Sequence, residues 1–476
     1  MTVKSAWKTI GFILINIMGL LLFSFRINDD QNMAFAIFAC IQCVFGLLLL
    51  KDAYPIYSVA PLFLIASEVM HFGEAFILGI GREDLLDVSN VVLAGSIKNY
   101  NIANIFAFSV QTMVVVGMIY AGGSRKKYKL KGTEKIDLLY QHNKNITYSV
   151  GLLLFLIGVG PTVLYYGKML QQTLSGITYA GIRESVDLGP IMLLTVFFHP
   201  GVILMILGSL GSPRKLKAKF IFYLACVFEV VCMLTGNRGQ QLMYLLVYIF
   251  IYYRYIGKFN WKKILPFALL GYVTIAFLYA ISSTRLYGFA GLDLNAFTKI
   301  LMGEPIFALL AEQGSTLNMV ALTVRDVPSY TPFSYGIQYL ASLLSVFPDT
   351  GGWKGNLVNL VNTLSYLNTN LPLGDSYIAE LYHNFGWLSI PFAVMIGFFI
   401  GRVDQSIEQY VKKNNYLYLG SYLVLFRSLL WMVRCNFFNF LYYFVWSTVG
   451  IFIVVNIVGR YSHRYSETRR LSSEEI

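Results

Sequence analysis

Apolar runs of about 20 residues recur from one end of this chain to the other, and they limit its possible folds more than any other feature. An α-helix needs about 20 apolar residues to cross the hydrocarbon core of a bilayer. Of the 476 residues, 56% are hydrophobic and only 13% are charged, which excludes a water-soluble protein. The sequence therefore predicts an all-α polytopic membrane protein with about 12 transmembrane helices. The predicted spans are residues 7–25, 32–50, 55–79, 102–121, 147–167, 190–210, 220–235, 240–253, 264–283, 384–401, 416–433 and 439–458.

The basic residues indicate how these spans are oriented. Most of the 37 Lys and Arg residues fall in alternate connecting segments, including residues 125–144 and 214–219. Lys and Arg concentrate on the cytoplasmic side of membrane proteins. Both termini are therefore predicted to be cytoplasmic, and the net charge of +12 is explained without nucleic acid as a partner.

The connecting segments divide the chain into three parts. Residues 1–283 are predicted to form an N-terminal transmembrane bundle of about nine helices. Residues 284–383 form a large external loop, and residues 384–476 form C-terminal transmembrane helices and a cytoplasmic tail. Helix-like apolar spacing at 297–324 and 336–347 predicts that the loop is folded into amphipathic helices at the membrane surface.

Arginines recur at the outer ends of the predicted spans. Arg238 lies in the short turn at residues 235–239, Arg285 follows the ninth span, and Arg427 and Arg434 lie around the outer end of the eleventh. A guanidinium group bonds phosphate oxygens through its planar fork and stays charged when buried. The pattern therefore predicts that Arg238, Arg285 and Arg434 converge on one diphosphate.

Two structural alternatives apply to these arginines. The 235–239 segment can be an ordinary tight turn from which Arg238 reaches the membrane surface. Arg427 can instead pair with Glu229, Glu312 or lipid head groups.

The third span carries Glu68, His71 and Glu74 at spacings that place them on one side of a helix. Such a cluster inside a membrane can bind a proton or a cation. The interpretation that we favour is pairing of these side chains with neighbouring helices.

A second polar motif runs from the external loop into the tenth span. In a helix, Ser376, Glu380 and His383 fall at positions i, i+4 and i+7 on one face, which can take a proton from a sugar hydroxyl. We predict Glu380 and His383 as catalytic residues, with Glu380 favoured as the base. The predicted acceptor-binding or sugar-binding residues are Asp375, Ser376, Tyr382, Asn384 and Glu312. The alternative is a helix start capped by Asp375 or Ser376, with Trp387 as an interface anchor.

Several familiar catalytic motifs are missing from the sequence. It contains no Asp-x-Asp pair, no His-Glu-x-x-His, no Gly-rich loop ending in Lys-Ser or Lys-Thr, and no Gly-x-Ser-x-Gly. Most of the five cysteines lie inside apolar runs, which favours packing over disulfides or metal binding. Nucleotide-driven chemistry is therefore not expected.

With these motifs the sequence resembles the O-antigen and capsular polysaccharide polymerases of the Wzy type. Residues 235–239, Thr-Gly-Asn-Arg-Gly, are similar to the short Gly-x-Arg-Gly turn of that family. Residues 374–387 are similar to its segment after the large outer loop, and Arg434 occupies the place of a late outer arginine.

The resemblance implies a metal-independent glycosyltransferase of the C superfamily, without a cofactor, in the bacterial inner membrane. It implies that a growing glycan on undecaprenyl diphosphate is the donor and one lipid-linked repeat unit the acceptor. A sugar hydroxyl attacks the anomeric carbon, and the arginines stabilise the departing diphosphate. Membrane lipid, a chain-length regulator and a flippase are the further implied partners.

Three other functions remain compatible with the sequence. A ligase that transfers finished glycan to another acceptor shares the donor chemistry. A flippase or other transporter of lipid-linked oligosaccharide needs access from both faces, whereas the charged motifs here gather on one face. A non-catalytic assembly subunit is the third alternative, and turnover by the purified protein separates it from the enzymes.

Overall fold

A computed structural model gives the architecture of the chain. It describes residues 3–86, 90–123, 136–175, 186, 188–235, 238–257, 305–347, 352, 354–355, 357–361, 367 and 374–458. Within these residues the secondary structure is entirely helical. In chain order the α-helices are α1 (Val3–Phe25), α2 (Asn32–Leu50), α3 (Val59–Gly79), α4 (Asn90–Ala94), α5 (Ile97–Gly123), α6 (Ile136–Leu174), α7 (Phe198–Gly208), α8 (Leu216–Met233), α9 (Arg238–Ile251), α10 (Pro305–Gly314), α11 (Leu317–Asp326), α12 (Ile337–Ser345), α13 (Leu357–Val361), α14 (Tyr377–Phe385), α15 (Ile390–Lys412), α16 (Tyr416–Met432) and α17 (Phe437–Tyr443).

Eight helical stretches in the described part of the chain are long and apolar enough to cross a membrane. The shortest has 19 residues, which at the α-helical rise gives about 28 Å and matches a hydrocarbon core of about 30 Å. Helix α16 is apolar but shorter. The predicted all-α membrane fold is therefore confirmed. The predicted span at 264–283 lies outside the described residues, and each of the other predicted spans coincides with a helix.

Glycine permits close packing of the spanning helices. Helix α5 is the most buried span, with 83% of its apolar window inside the protein. It meets α15 where a Cβ added to Gly397 would lie 1.9 Å from the carbonyl oxygen of Val114. Helix α6 meets the segment that starts α7 in the same way, since a Cβ on Gly158 would lie 2.4 Å from the backbone nitrogen of Phe198. Small residues hold helices together in lipid because van der Waals packing replaces the hydrophobic driving force.

Helices α10, α11 and α12 lie in the predicted external loop and show that the described part of it, residues 305–347, is folded. Helix α10 packs on α3 through Gly73 and Gly314, where no side chain separates the two backbones. Helix α11 is buried along almost its whole length, so it belongs to the protein interior rather than to its surface.

Helix α12 has an inverted amphipathic pattern. Its buried positions include Gln338, Ser342 and Ser345, whereas Leu340 and Leu343 are exposed. Apolar side chains outside and polar side chains inside suit a helix whose outer face contacts lipid, as predicted for a membrane-surface helix.

Candidate functional site

The centre of the candidate site is helix α14, which carries the predicted motif. The helix starts at Ser376, whose hydroxyl oxygen accepts a hydrogen bond from the backbone N–H of Ile378 at 3.2 Å. This N-cap satisfies a backbone donor that has no partner within the helix. The helix ends at Gly386, whose φ of +55° favours glycine. The capping role considered for Ser376 is thus confirmed.

The Ser376 hydroxyl also contacts His71, which lies on helix α3. Atom Nδ1 of His71 is 2.8 Å from the carbonyl oxygen of Ser67, and atom Nε2 is 2.9 Å from the Ser376 oxygen. Because a carbonyl oxygen only accepts, Nδ1 must carry the proton, and Nε2 of a neutral ring then accepts from the serine hydroxyl. The Ser376 hydroxyl is therefore occupied in both directions, and His71 fixes where α14 begins.

Glu380 is almost fully buried, at 1% exposure, and its two carboxylate oxygens have different surroundings. Atom Oε2 accepts a hydrogen bond from the backbone N–H of Phe437 at 2.6 Å, at the start of α17. Atom Oε1 is shielded from solvent and has no hydrogen-bond partner among the described residues. A buried acceptor without a partner is costly. The described residues therefore satisfy only one of the two Glu380 carboxylate oxygens.

His383 and Asn384 attach residues 336–338, at the start of α12, to the end of α14. Atom Nδ1 of His383 lies 3.1 Å from Oε1 of Gln338. The Asn384 amide donates to the same oxygen at 3.0 Å and to the Glu380 carbonyl oxygen at 2.8 Å, and it accepts from the Gly336 N–H at 3.1 Å. These contacts favour a positioning role for both residues over contact with the substrate.

Tyr382 packs within an aromatic cluster. Its ring lies edge-on to Phe106 at a centroid distance of 4.9 Å, and the Phe333 ring is 6.1 Å away. The residue is 6% exposed. Its ring is therefore engaged by other aromatic rings, which favours packing over the predicted stacking on a sugar.

Arg434 joins three parts of the chain just beyond the C-terminal end of α16. Its Nη1 donates to the Gln313 side-chain oxygen at 2.7 Å, next to Glu312 on α10. A Cβ added to Gly374 would lie 3.3 Å from Arg434 Nε, so the guanidinium stem lies against the residue that precedes Asp375. Arg434, Glu312 and Asp375 are half-buried. The fold therefore brings three of the predicted site residues to one place.

The start of α9, to which Arg238 belongs, lies close to the same end of α16. A Cβ on Gly239 would lie 2.7 Å from the Trp431 ring, and the carbonyl oxygen of Trp431 accepts from the Arg434 N–H at 3.0 Å. Arg238 is the first residue of α9, but its side chain lies outside the described residues, as does the whole of Arg285. The convergence of the three arginines on one ligand therefore stays a prediction.

Arg427 lies within α16, seven residues before Arg434 in the sequence. It is 1% exposed, and within the described ranges none of its three guanidinium nitrogens has a hydrogen-bond partner. The guanidinium carbon is 4.3 Å from the Tyr443 ring, 4.7 Å from Tyr244 and 5.9 Å from Trp431. Cation–π attraction therefore holds this charge in place. Among the described residues, neither Glu229 nor Glu312 pairs with Arg427, and Glu229 pairs with His199 instead.

Several residues that shape the site could not be recognised from the sequence. Gln313 and Gln338 are neutral amides in a long loop, and such residues leave no spacing signal. His71 belonged to the predicted cluster on the third span, and its pairing with a neighbouring helix agrees with the favoured interpretation. Among the described residues, no three His, Cys, Asp or Glu side chains are grouped as ligands of a metal ion.

One comparison with known proteins identifies a relationship. The family model described as O-antigen polysaccharide polymerase Wzy matches residues 9–464, which is nearly the whole chain. Neither the curated proteins nor the solved structures provide a match.

Proposed function

Since this chain belongs to the O-antigen polysaccharide polymerase Wzy family, we propose that it joins undecaprenyl-diphosphate-linked repeat units at the outer face of the inner membrane. Membership supports an integral inner-membrane protein with a role in polysaccharide polymerisation and with lipid-linked glycan substrates. The membrane-spanning helices agree with this location. The specific donor, acceptor and residue roles below are the content of the proposal.

Glu380 is the observation that carries the proposal. One carboxylate oxygen is fixed by a backbone N–H and the other has no described partner, so an incoming hydroxyl can donate to it. A positioned carboxylate that accepts the proton during attack is a general base. The acceptor oxygen forms a bond to the anomeric carbon, the bond from that carbon to the diphosphate oxygen breaks, and the diphosphate leaves with the electron pair. The hydroxyl proton passes to Glu380, and no metal takes part in the step.

Arg434 is the described residue best placed for the departing diphosphate. Its side chain is half-buried and lies beside the segment that leads into α14. A guanidinium directed at developing phosphate charge lowers the barrier because that charge is largest in the transition state. Arg238 and Arg285 complete this site in the proposal.

Arg427 adds positive potential beneath Arg434. Arg427 lies within α16, and Arg434 lies in the turn that follows the end of this helix at Met432. The Arg427 charge has no described carboxylate beside it to cancel it. A cation in a low-dielectric environment acts on an anion over a longer distance than it does in water.

In the proposal, the carboxylates of Asp375 and Glu312 bind the acceptor. Asp375 and Glu312 are half-buried, and each is next in sequence to a residue that contacts Arg434. Carboxylates accept hydrogen bonds from sugar hydroxyls. Ser376, His383 and Asn384 position these groups through the contacts described above. A flippase is an expected partner because the polar repeat unit cannot cross the bilayer unaided, and a chain-length regulator is expected beside it.

Turnover by the purified full-length protein tests the proposal. The protein is reconstituted in nanodiscs with undecaprenyl-diphosphate-linked repeat units, and the products are separated by size. A ladder whose steps equal one repeat unit supports the polymerase. Transfer of glycan only to an added second acceptor would make the protein a ligase, and absence of any turnover in folded protein would indicate a non-catalytic subunit.

A further inference from the structure

A cavity of about 380 Å³ lies at the opposite end of the bundle from Glu380. It is enclosed by the start of α6, the end of α7 and the start of α8. The charge pattern assigns this end to the cytoplasm. Its lining includes Lys144, Tyr148, Ser209, Ser212 and Lys217.

Lys144 and Lys217 both line this cavity, and none of the described residues that line it is acidic. Lys144 is 6% exposed, which is unusual for a lysine. The Lys217 ammonium lies 3.7 Å from the centroid of the Tyr148 ring. In the described part of the chain, Lys217 forms no ion pair, so its charge is available to a ligand.

Two hydroxyl groups add hydrogen-bond donors. The side-chain oxygens of Ser209 and Ser212 are shielded from solvent and have no hydrogen-bond partner among the described residues. Ser209 as a whole is 4% exposed. Buried hydroxyls normally find partners because an unmade hydrogen bond is costly. The Lys217 ammonium together with these two hydroxyls matches the oxygens of a phosphate group.

The surface beside the cavity indicates a lipid rather than a small ion. Helix α8 begins next to Lys217, and Leu216, Phe220 and Leu224 lie at i, i+4 and i+8 with exposures of 62%, 69% and 58%. They form one apolar stripe along the helix. An acyl chain can lie along this stripe while its head group enters the cavity.

We propose that this cavity binds the phosphate of an anionic phospholipid of the cytoplasmic leaflet. Basic pockets between spanning helices on the cytoplasmic side suit such head groups. The site is separate from the glycan chemistry, and its test does not depend on polymer formation.

Lipid retention by the purified full-length protein tests this site. Protein in mixed micelles with equal amounts of phosphatidylglycerol and phosphatidylcholine is analysed by native mass spectrometry. We expect preferential retention of phosphatidylglycerol and a loss of about fivefold in Lys217→Gln, from the contribution of one Lys near a membrane surface. Ser212→Ala should lose less. Lys219→Gln removes the same charge from the same helix outside the cavity lining and is the matched control.

Three results would overturn the proposal. The first is equal retention of the two lipids by the wild-type protein. The second is an equal loss of phosphatidylglycerol in Lys217→Gln and Lys219→Gln, which would indicate a general charge effect. The third is displacement by inorganic phosphate at the concentration at which phosphatidylglycerol itself competes, which would make this a site for free phosphate.

Discussion

Replacing Glu380 with glutamine separates its chemical role from its structural one. The glutamine side chain has nearly the same shape, and its amide oxygen can still accept from the Phe437 N–H, as Oε2 does at 2.6 Å. The replacement removes the negative charge and the ability to take a proton. Glu380→Gln should therefore retain the contact between α14 and α17 and lose the reaction.

The size of the effect follows from the two roles. General-base catalysis contributes about 10² to 10⁴ in rate, which corresponds to about 3 to 5 kcal/mol of barrier height. A hydrogen bond to a charged acceptor is stronger than one to a neutral acceptor by about 1 kcal/mol, and the smaller desolvation cost of the amide offsets part of this loss. Turnover should fall at least about 100-fold, while the free energy of unfolding changes by about 1 kcal/mol or less.

The assay is initial-rate formation of polymer from lipid-linked repeat units in nanodiscs, with thermal unfolding of the same samples. Glu408→Gln is the matched control. Glu408 lies near the C-terminal end of α15 and is also a buried glutamate, at 7% exposure. It is paired with Arg254 at 3.1 Å. It should retain turnover close to that of the wild-type protein. Polymer formation by Glu380→Gln within threefold of the wild-type rate would refute the assignment of the base.

Three further predictions test the donor site, the helix packing and the orientation. Arg434→Lys keeps the positive charge but loses the planar pair of donors, so turnover should fall by about 10-fold or more. Arg26→Lys, at an exposed ion pair with Asp29, should not change turnover. Equal rates in the two variants would exclude Arg434 from the donor site. Gly397→Ala places a methyl group 1.9 Å from a backbone oxygen and should cost about 1–3 kcal/mol in thermal unfolding. Gly160→Ala, with nothing within 4 Å, should be neutral or stabilising by up to about 1 kcal/mol, and similar unfolding of both variants would contradict the packing argument. Tyr330 is 74% exposed. We expect Tyr330→Cys, in a protein without other cysteines, to react with a membrane-impermeant thiol reagent added from outside. Reaction only after the inner membrane is permeabilised would show that the predicted topology is inverted.

The sequence alone determined the class of fold. A bilayer requires long apolar helices because buried backbone groups must be paired within the segment. Each predicted span can therefore be recognised from its own run of apolar residues. Wherever the structure describes the chain, the predicted spans coincide with helices. The start of α14 was also predictable, because an N-cap serine is a local signal that depends on residues two and three positions away.

Only the tertiary structure decided what the polar side chains contact. Ser376 and His383 share a helical face with Glu380, yet Ser376 bonds to His71, 305 positions away, and His383 bonds to Gln338. A contact between residues 305 positions apart leaves no periodic pattern in the sequence. Helical periodicity shows which face of a helix a residue occupies, but it does not show which other helix packs against that face. The free oxygen of Glu380 and the aromatic surroundings of Arg427 were likewise set by helices that the chain brings together from distant segments.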